Sequence, residues 1–321
     1  MDISSSITVL IPCYQEQEVL PTTYKRVRAV LDNLSPQVVG RILFVDDGSS
    51  DSTKAIIESI CSLDRSVQAI FFSRNFGHQA AVTAALSYCN SDYAIIMDAD
   101  LQDPPELIPA MWDLLHKTKA NVIYGVRNKR EGETYFKKLS AKLFYRYLNY
   151  LSDCPIPLDA GDFRLVDRQV IDAFRQLPEH NKYVRGLISW LGFRQEPFYY
   201  DRDERKAGNT KYGLKQMLNL ATNALHYFST KPLKLASSLG YICVLIGMAW
   251  GIWVLCGKIW GFTHPESGWT SILMTIIFFG GVQLLCIGLL GRYVGVIFDE
   301  VKSRPEYIVA KTINVDVTKQ E

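Results

Sequence analysis

Two apolar runs in the first third of the chain stop at pairs of carboxylates: RILFVDD at 41–47 and DYAIIMDAD at 92–100. Short, near-continuous apolar runs closed by turn residues read as strands buried on both faces. Side chains at i and i+2 of a strand share a face. Asp98 and Asp100 are therefore expected to project together from the carboxyl end of their strand. Open α/β sheets bind their ligands along that edge. Paired hard oxygen ligands suit Mg²⁺ or Mn²⁺, which sit on one or two carboxylates plus substrate phosphates. An isolated DAD would read as a turn, but Asp46 and Asp47 repeat the arrangement on a second run.

The alternation around these two runs extends over the N-terminal part. Candidate strands are ITVLIP (7–12), RILFVDD (41–47), VQAIFFS (67–73), DYAIIMD (92–98) and NVIYGVR (121–127). Helix-length stretches lie near 17–33, 52–63, 77–90 and 105–118. Apolar strands separated by helices predict an α/β fold with a mostly parallel sheet covered on both faces. Asp51 or Ser52 is placed to cap the second helix, and Pro104–Pro105 to open the fourth. No internal repeat or low-complexity linker interrupts the chain.

The 321 residues divide sharply in character. Residues 1–230 read as a soluble α/β chain, whereas 235–256 and 269–291 are long runs without charge. Each reaches the roughly 20 residues that a membrane-spanning helix needs. Trp250, Trp253, Trp260 and Trp269 lie near their outer ends, as in aromatic belts. Lys231 and Lys234 precede the first run; Arg292, Lys302 and Arg304 follow the second; the loop between has only Lys258. Basic residues favour the cytoplasmic side, so both termini are expected there, in a plasma or inner membrane. ITVLIP is too short and lacks a basic flank for a cleavable signal. The 35 basic and 33 acidic residues balance to +2, which argues against a nucleic acid partner held by a global field. Seven scattered cysteines and five histidines form no ligand pattern and read as structural, with the thiols reduced. Gly280, Gly281, Gly288 and Gly291 permit close helix packing, compatible with a homo-oligomer.

No GxGxxG follows the first strand and no GxxxxGK[ST] occurs anywhere. Instead Pro12-Cys13-Tyr14-Gln15-Glu16 puts an aromatic ring and a carboxylate where they can stack on a base and bind a ribose. IPCYQE, VDDGSSD, MDADLQDPPE, DAGDFRL and RKAGNTKY follow one another in the order found in family-two glycosyltransferases. Over about residues 5–230 the chain resembles the branch containing dolichyl-phosphate mannose synthase and bacterial polyprenyl-phosphate (bactoprenol) glucosyltransferases. Its two trailing apolar runs resemble those of the O-antigen-modifying glucosyltransferases.

The resemblance implies a GT-A (Rossmann-like) catalytic domain at 1–212 and a juxtamembrane amphipathic helix at 213–234. It further implies spans at 235–257 and 269–291, a loop at 258–268 outside the cytoplasm, and a cytoplasmic tail at 292–321. It assigns Pro12, Tyr14 and Glu16 to base and ribose contacts, and Val45 with Asp47 to a further nucleobase contact. Asp98, Ala99 and Asp100 match the DxD that holds the ribose and a divalent cation, with Gln102 as another metal-site ligand. Arg127, Arg205 and Lys211 match phosphate contacts. The usual G-E-S-K-[YL] reads Gly208-Asn209-Thr210-Lys211-Tyr212 here, which removes one carboxylate.

Transfer of a sugar from a nucleoside diphosphate requires stabilisation of charge on the departing diphosphate, by a cation as Lewis acid and by Arg or Lys. A lipid phosphate is already an anionic nucleophile and has little need of a strong base. Asp159, foremost, and Asp162 are the candidates to orient the acceptor or act as base. The stretches 136–151 and 213–234 mix apolar and basic positions as interfacial helices do. The expected reaction is inverting transfer of glucose from UDP-glucose to undecaprenyl phosphate at the cytoplasmic membrane face. The alternatives are a GDP-mannose-dependent mannose synthase, a 4-amino-arabinose-type transferase, and, in another class, a carrier or flippase subunit. The uncharged runs favour a passive anchor over a carrier, and the missing QxxRW disfavours a processive polymer synthase. Tyr and Asp contacts suit uracil and guanine equally.

Overall fold

A computed structural model of the chain describes residues 5–34, 38–127, 160–179, 182–201, 231–260 and 268–315. In chain order these form β1 (Ser5–Cys13), α1 (Leu20–Leu34), β2 (Val38–Asp46), α2 (Thr53–Leu63), β3 (Val67–Phe72) and α3 (His78–Tyr88). Next come β4 (Tyr93–Ile96), a 3-10 turn (Pro105–Leu107), α4 (Ile108–Thr118), β5 (Val122–Arg127), β6 (Ala160–Asp167) and α5 (Arg168–Arg175). The chain continues with α6 (Val184–Trp190), β7 (Gln195–Tyr200), α7 (Lys231–Ile259), α8 (Trp269–Val301) and β8 (Val309–Ile313). The five expected strands and four expected helices all occur. Strand β4 is shorter than expected, ending two residues before Asp98, so the two carboxylates sit on the turn after the strand.

One sheet runs β7-β5-β6-β4-β1-β2-β3-β8. Strands β3, β2, β1 and β4 are parallel neighbours, while β6 enters antiparallel between β4 and β5. Because β1 pairs with β2 on one side and β4 on the other, the crossover direction reverses at β1, which creates a ligand-binding crevice at the carboxyl edge. On one face Ile7, Val9, Ile11, Ile42, Phe44 and Phe71 pack in a core shared with residues of α1, α2 and α4. Burying each such side chain contributes about 1.5–3 kcal/mol. The other face carries α3, where every residue from Ala80 to Leu86 is buried. Its alanines allow the close approach that an all-round buried helix needs.

The sheet, its helices and the segment from Ser303 onward form one compact unit; α7 and α8 belong to a second. In that second unit, Phe278–Val301 is a 24-residue stretch long and apolar enough to cross a membrane, and Gly240–Ala249 is a shorter apolar helix. Two spans were expected, yet one helix among the described residues meets the requirement. Leu245, Ile246 and Trp253 on α7, with Ile276, Leu284 and Ile287 on α8, are more than half exposed. Such rows of bare apolar side chains mark a surface that water does not cover favourably. Helix α8 continues to Val301, ten residues past the expected end of the second span at 291, and part of the expected tail is the edge strand β8.

Three turns at the carboxyl edge hold left-handed backbone: Gln15 (φ 56°), Gly48 (φ 68°) and Leu101 (φ 57°). Non-glycine residues in this region carry strain of about 1–3 kcal/mol and persist only where the surroundings enforce them. At Gly48 the need is also steric, since a Cβ there would meet the Arg74 carbonyl carbon at 2.3 Å. Gly48→Ala is expected to destabilise the fold by at least about 2 kcal/mol through combined strain and overlap. The urea midpoint in detergent measures this; an unchanged midpoint would show that the turn relaxes freely.

Candidate active site

The loops after β1 and β2 are laced together. Gln15 N donates to Ser49 Oγ (2.9 Å), Gln15 Nε2 to Ser50 Oγ (3.2 Å) and Glu16 N to Thr53 Oγ1 (2.9 Å). Ser52 N returns a bond to Gln17 Oε1 at 3.0 Å. Pro12 lies opposite Val45 and Cys13 opposite Asp46, so the two strand ends are level. Tyr14 stands out from this frame, 37% exposed. At the expected cap of α2, Ser52 occupies the N-cap position without a side-chain bond, and Asp51 Oδ1 accepts from Thr53 N at 3.1 Å.

The acidic pair divides its labour. Asp47 accepts from the Phe76 amide on Oδ1 (2.6 Å) and from the Gly77 amide on Oδ2 (2.9 Å), which fixes the connection between β3 and α3. Asp46 accepts from Ser49 N at 3.3 Å through Oδ2, while its buried Oδ1 has no partner among the described residues. Burial raises the pKa of both, against the lowering effect of those amides.

The turn after β4 is equally tied. Met97 N donates to Leu10 O (3.1 Å), and the buried Thr23 hydroxyl donates to Ala99 O (2.8 Å). Gln102 contributes its backbone N–H, which donates to Asp100 Oδ1 at 3.1 Å. Tyr200 donates its hydroxyl to Asp103 at 2.5 Å. Burial, reinforced by the carboxylates of Asp162, Asp103 and Asp100, pushes the Asp98 carboxyl up to about 6, although His78 opposes the rise.

The third wall comes from β6 and two helices. Arg164 lies opposite Ile96 in the antiparallel ladder, so Asp162 falls just past the end of β4, beside Asp98. Arg185 on α6 grips Asp162 twice, from Nε to Oδ1 and from Nη2 to Oδ2 (2.6 Å). His78, the first residue of α3, brings Nε2 to 3.2 Å from Asp162 Oδ2 and 3.7 Å from Asp98 Oδ1. Beneath them the fully buried Arg164 donates to the carbonyls of Gly161 (3.5 Å) and Arg185 (3.4 Å). Burial alone would raise the Asp162 pKa, but Arg185 and His78 hold it well below the usual carboxylate range. Asp162 is therefore a poor proton acceptor, better suited to anchoring than to catalysis as a base. His78, Asp98 and Asp162 offer ligand atoms within 4.8 Å of one another. The Arg185 guanidinium on both Asp162 oxygens opposes a second cation there, so the donor set that fits Mg²⁺ or Mn²⁺ is Asp98 with Asp100.

The structure thus gathers Pro12, Tyr14, Glu16, Val45, Asp47, Asp98, Ala99, Asp100, Gln102 and Asp162 at one edge of the sheet. Asp159, Arg205 and Lys211 lie outside the described residues, as do the stretches 136–151 and 213–230; of Arg127 only the backbone, at the end of β5, is described. The sequence reading left every histidine outside the site, whereas the structure brings His78 against Asp162 and Asp98. Its signal was local, a Gly-His step opening a helix after a strand, at the edge where ligands bind. Arg185 carried no such signal, because α6 and β6 meet only through the fold. Arg185→Ala should leave the Asp162 carboxylate buried with His78 as its remaining charged partner among the described residues. The expected cost is about 3 kcal/mol, the lower end for a pair whose arginine is partly exposed. Asp162→Asn added to Arg185→Ala should recover part of it. Chemical unfolding of the three variants measures this, and a single variant as stable as wild type would remove the pair from the fold's supports.

A family model described as glycosyl transferase family 2 matches residues 8–175. Over 312 residues, 96% of this chain and 94% of the relative, the sequence is 45% identical to the uncharacterized glycosyltransferase YkcC of Bacillus subtilis (strain 168). Over 305 residues, 95% of this chain and 94% of the relative, it is 36% identical to the uncharacterized glycosyltransferase sll0501 of Synechocystis sp.. It is 37% identical over 308 residues to the SfII prophage-derived bactoprenol glucosyl transferase of Shigella flexneri, covering 95% of this chain and 98% of that one. With the family model spanning more than half of its length, on a GT-A-like α/β sheet whose carboxyl edge carries the acidic site, the chain is a glycosyltransferase and belongs to glycosyl transferase family 2.

Proposed function

We propose that the chain transfers glucose from UDP-glucose to a polyprenyl phosphate, undecaprenyl phosphate in a bacterial membrane, with inversion at the anomeric carbon. The observation that carries this reading is the extent of the match to the bactoprenol glucosyl transferase. It covers 95% of this chain, so it runs on through the apolar helices well past residue 175, where the family model ends. The catalytic unit and both termini face the cytoplasm in this reading, and 235–257 and 269–291 anchor it as two spans. The bare apolar surface of α7 and α8 supports an anchor in lipid.

The residues at the sheet edge suit the chemistry. Tyr14 stacks on the nucleobase, with Pro12 and Val45 lining its slot and Glu16 on the ribose. Asp47 makes the further nucleobase contact, its carboxylate oriented by the Phe76 and Gly77 amides and still able to accept a base N–H. Asp98, Asp100 and Gln102 would hold the divalent cation, which when bound supplies Lewis-acid stabilisation to the leaving diphosphate. Arg127, Arg205 and Lys211 add positive charge to the donor diphosphate and the lipid phosphate. An oxygen of the lipid phosphate forms the new bond to the anomeric carbon while the bond to the diphosphate breaks, and UDP leaves with that electron pair. The nucleophile arrives deprotonated, which fits a site whose described acid beside Asp98 is locked by an arginine. Asp159 is the residue we assign to orient the acceptor or take a residual proton, with Asp162 as its anchored neighbour.

Membranes containing the protein, incubated with a panel of labelled UDP- and GDP-sugars, should yield a lipid-extractable product from UDP-glucose. Label arriving from GDP-mannose instead would overturn the donor assignment, and no labelled lipid from any donor would overturn the acceptor. Asp100→Ala should fold normally yet lose at least about a hundredfold in turnover, several kcal/mol of transition-state stabilisation. Excess EDTA should do the same to the wild type. Full turnover in either condition would remove the cation from the mechanism.

A further inference from the structure

The segment after α8 is built into the catalytic sheet. Strand β8 pairs antiparallel with β3 from Ala69 to Phe72, and Ser73 N donates to Ile308 O at 3.0 Å. Asn314 Nδ2 donates to the carbonyls of Cys61 (3.1 Å) and Val67 (2.9 Å), and Lys311 meets Glu58 at 2.8 Å. Covering an open sheet edge accounts for these contacts. It does not account for Glu306 and Tyr307, which precede the strand and reach α3. Glu306 Oε1 accepts from Thr83 Oγ1 at 3.2 Å, in the middle of that helix. The Tyr307 ring also stacks on Phe72, the last residue of β3, at 5.0 Å and 11°, and Phe72 meets Phe76 edge-on at 5.7 Å.

We propose that Tyr307, with Glu306, is a positioning residue of the active site, holding the connection from β3 to α3 that delivers His78 to Asp98 and Asp162. The connection, 73–77, is gripped from both sides. Asp47 holds the Phe76 and Gly77 amides from within, while Tyr307 clamps Phe72 before the connection and Glu306 holds α3 after it. Gly77 has φ 104°, a backbone state that other residues rarely adopt, and it lies one residue before His78. A shift of this joint moves Nε2 of His78 away from its 3.2 and 3.7 Å contacts. Residues 302–308 alone separate α8 from β8, so the clamp follows directly on the apolar helix. The effect on transfer rests on the reading of Asp98 and Asp100 as the donor site; the structural tie does not.

The test uses the full-length protein in detergent. Tyr307→Ala should speed hydrogen exchange at the Phe76 and Gly77 amides and lower turnover about tenfold, with UDP affinity changed less than about twofold. Tyr307→Phe, which keeps the ring, should restore most of the turnover. His78→Ala should also lower turnover, and the double variant His78→Ala with Tyr307→Ala should be no slower than His78→Ala alone. Multiplying losses in that cycle, or exchange unchanged across 73–78, would overturn the proposal. If Tyr307→Ala does not fold, Tyr307→Leu and Glu306→Gln carry the same cycle. Faster exchange in a protein whose wild type glucosylates no lipid would keep the clamp and discard the proposed reaction.

Discussion

Strand β1 carries parallel ladders on both edges, to β2 along Ser5–Cys13 and to β4 along Ile7–Leu10. Parallel pairing sends the chain out of β1, β2 and β4 in the same direction. The loops bearing Tyr14, Asp46 with Asp47, and Asp98 with Asp100 must therefore emerge side by side. Strand β6 then arrives antiparallel and starts at that same edge, which brings Asp162 in from the far half of the chain. A slip of one residue in either ladder would turn each strand's side chains to the opposite face and dismantle the edge.

Crowding so many carboxylates has a physical cost, and the fold meets it with a different device at each position. Asp47 accepts from two backbone amides, Asp103 from a tyrosine hydroxyl and Asp162 from a forked arginine. These bonds replace the water that burial removes. Among the described residues Asp98 is met by His78 at 3.7 Å, and burial pushes its carboxyl up to about 6. The divalent cation of the proposed function would correct that imbalance, since a neighbouring positive charge favours the ionised form. The same logic separates Asp162, already held by Arg185, from Asp98 and Asp100, the acids proposed to hold the cation.

Much of the first half was legible because its signals are local. ITVLIP, RILFVDD, VQAIFFS and NVIYGVR are apolar runs between turn residues, and each became a strand within a few residues of its expected limits. Strand β4 ended early, because Thr23 and Leu10 hold the chain after Ile96 in a turn with Leu101 left-handed. Strands β6, β7 and β8 were not anticipated as strands. DAGDFRL drew attention as a motif, and its Arg164 breaks the apolar run. QEPFYY and VAKTI lie at the sheet's outer positions, where one side of the strand is not buried. Phe278–Val301 kept its apolar character while crossing the expected boundary at 291, since a helix does not stop at a single arginine.

By itself the sequence determined the family, the alternation of strands and helices up to Arg127, and the acidic residues at the carboxyl ends of β2 and β4. Those properties follow from periodicity, capping and short motifs, which act over a few residues. The tertiary structure alone decided which partners each of those acids meets. It tied Asp47 to the β3–α3 connection, locked Asp162 with Arg185, and brought His78 beside Asp98. It also placed Tyr307 from the expected tail against Phe72. Such contacts join residues far apart in the chain, so no local pattern encodes them; they exist only once the sheet order and register bring their elements together.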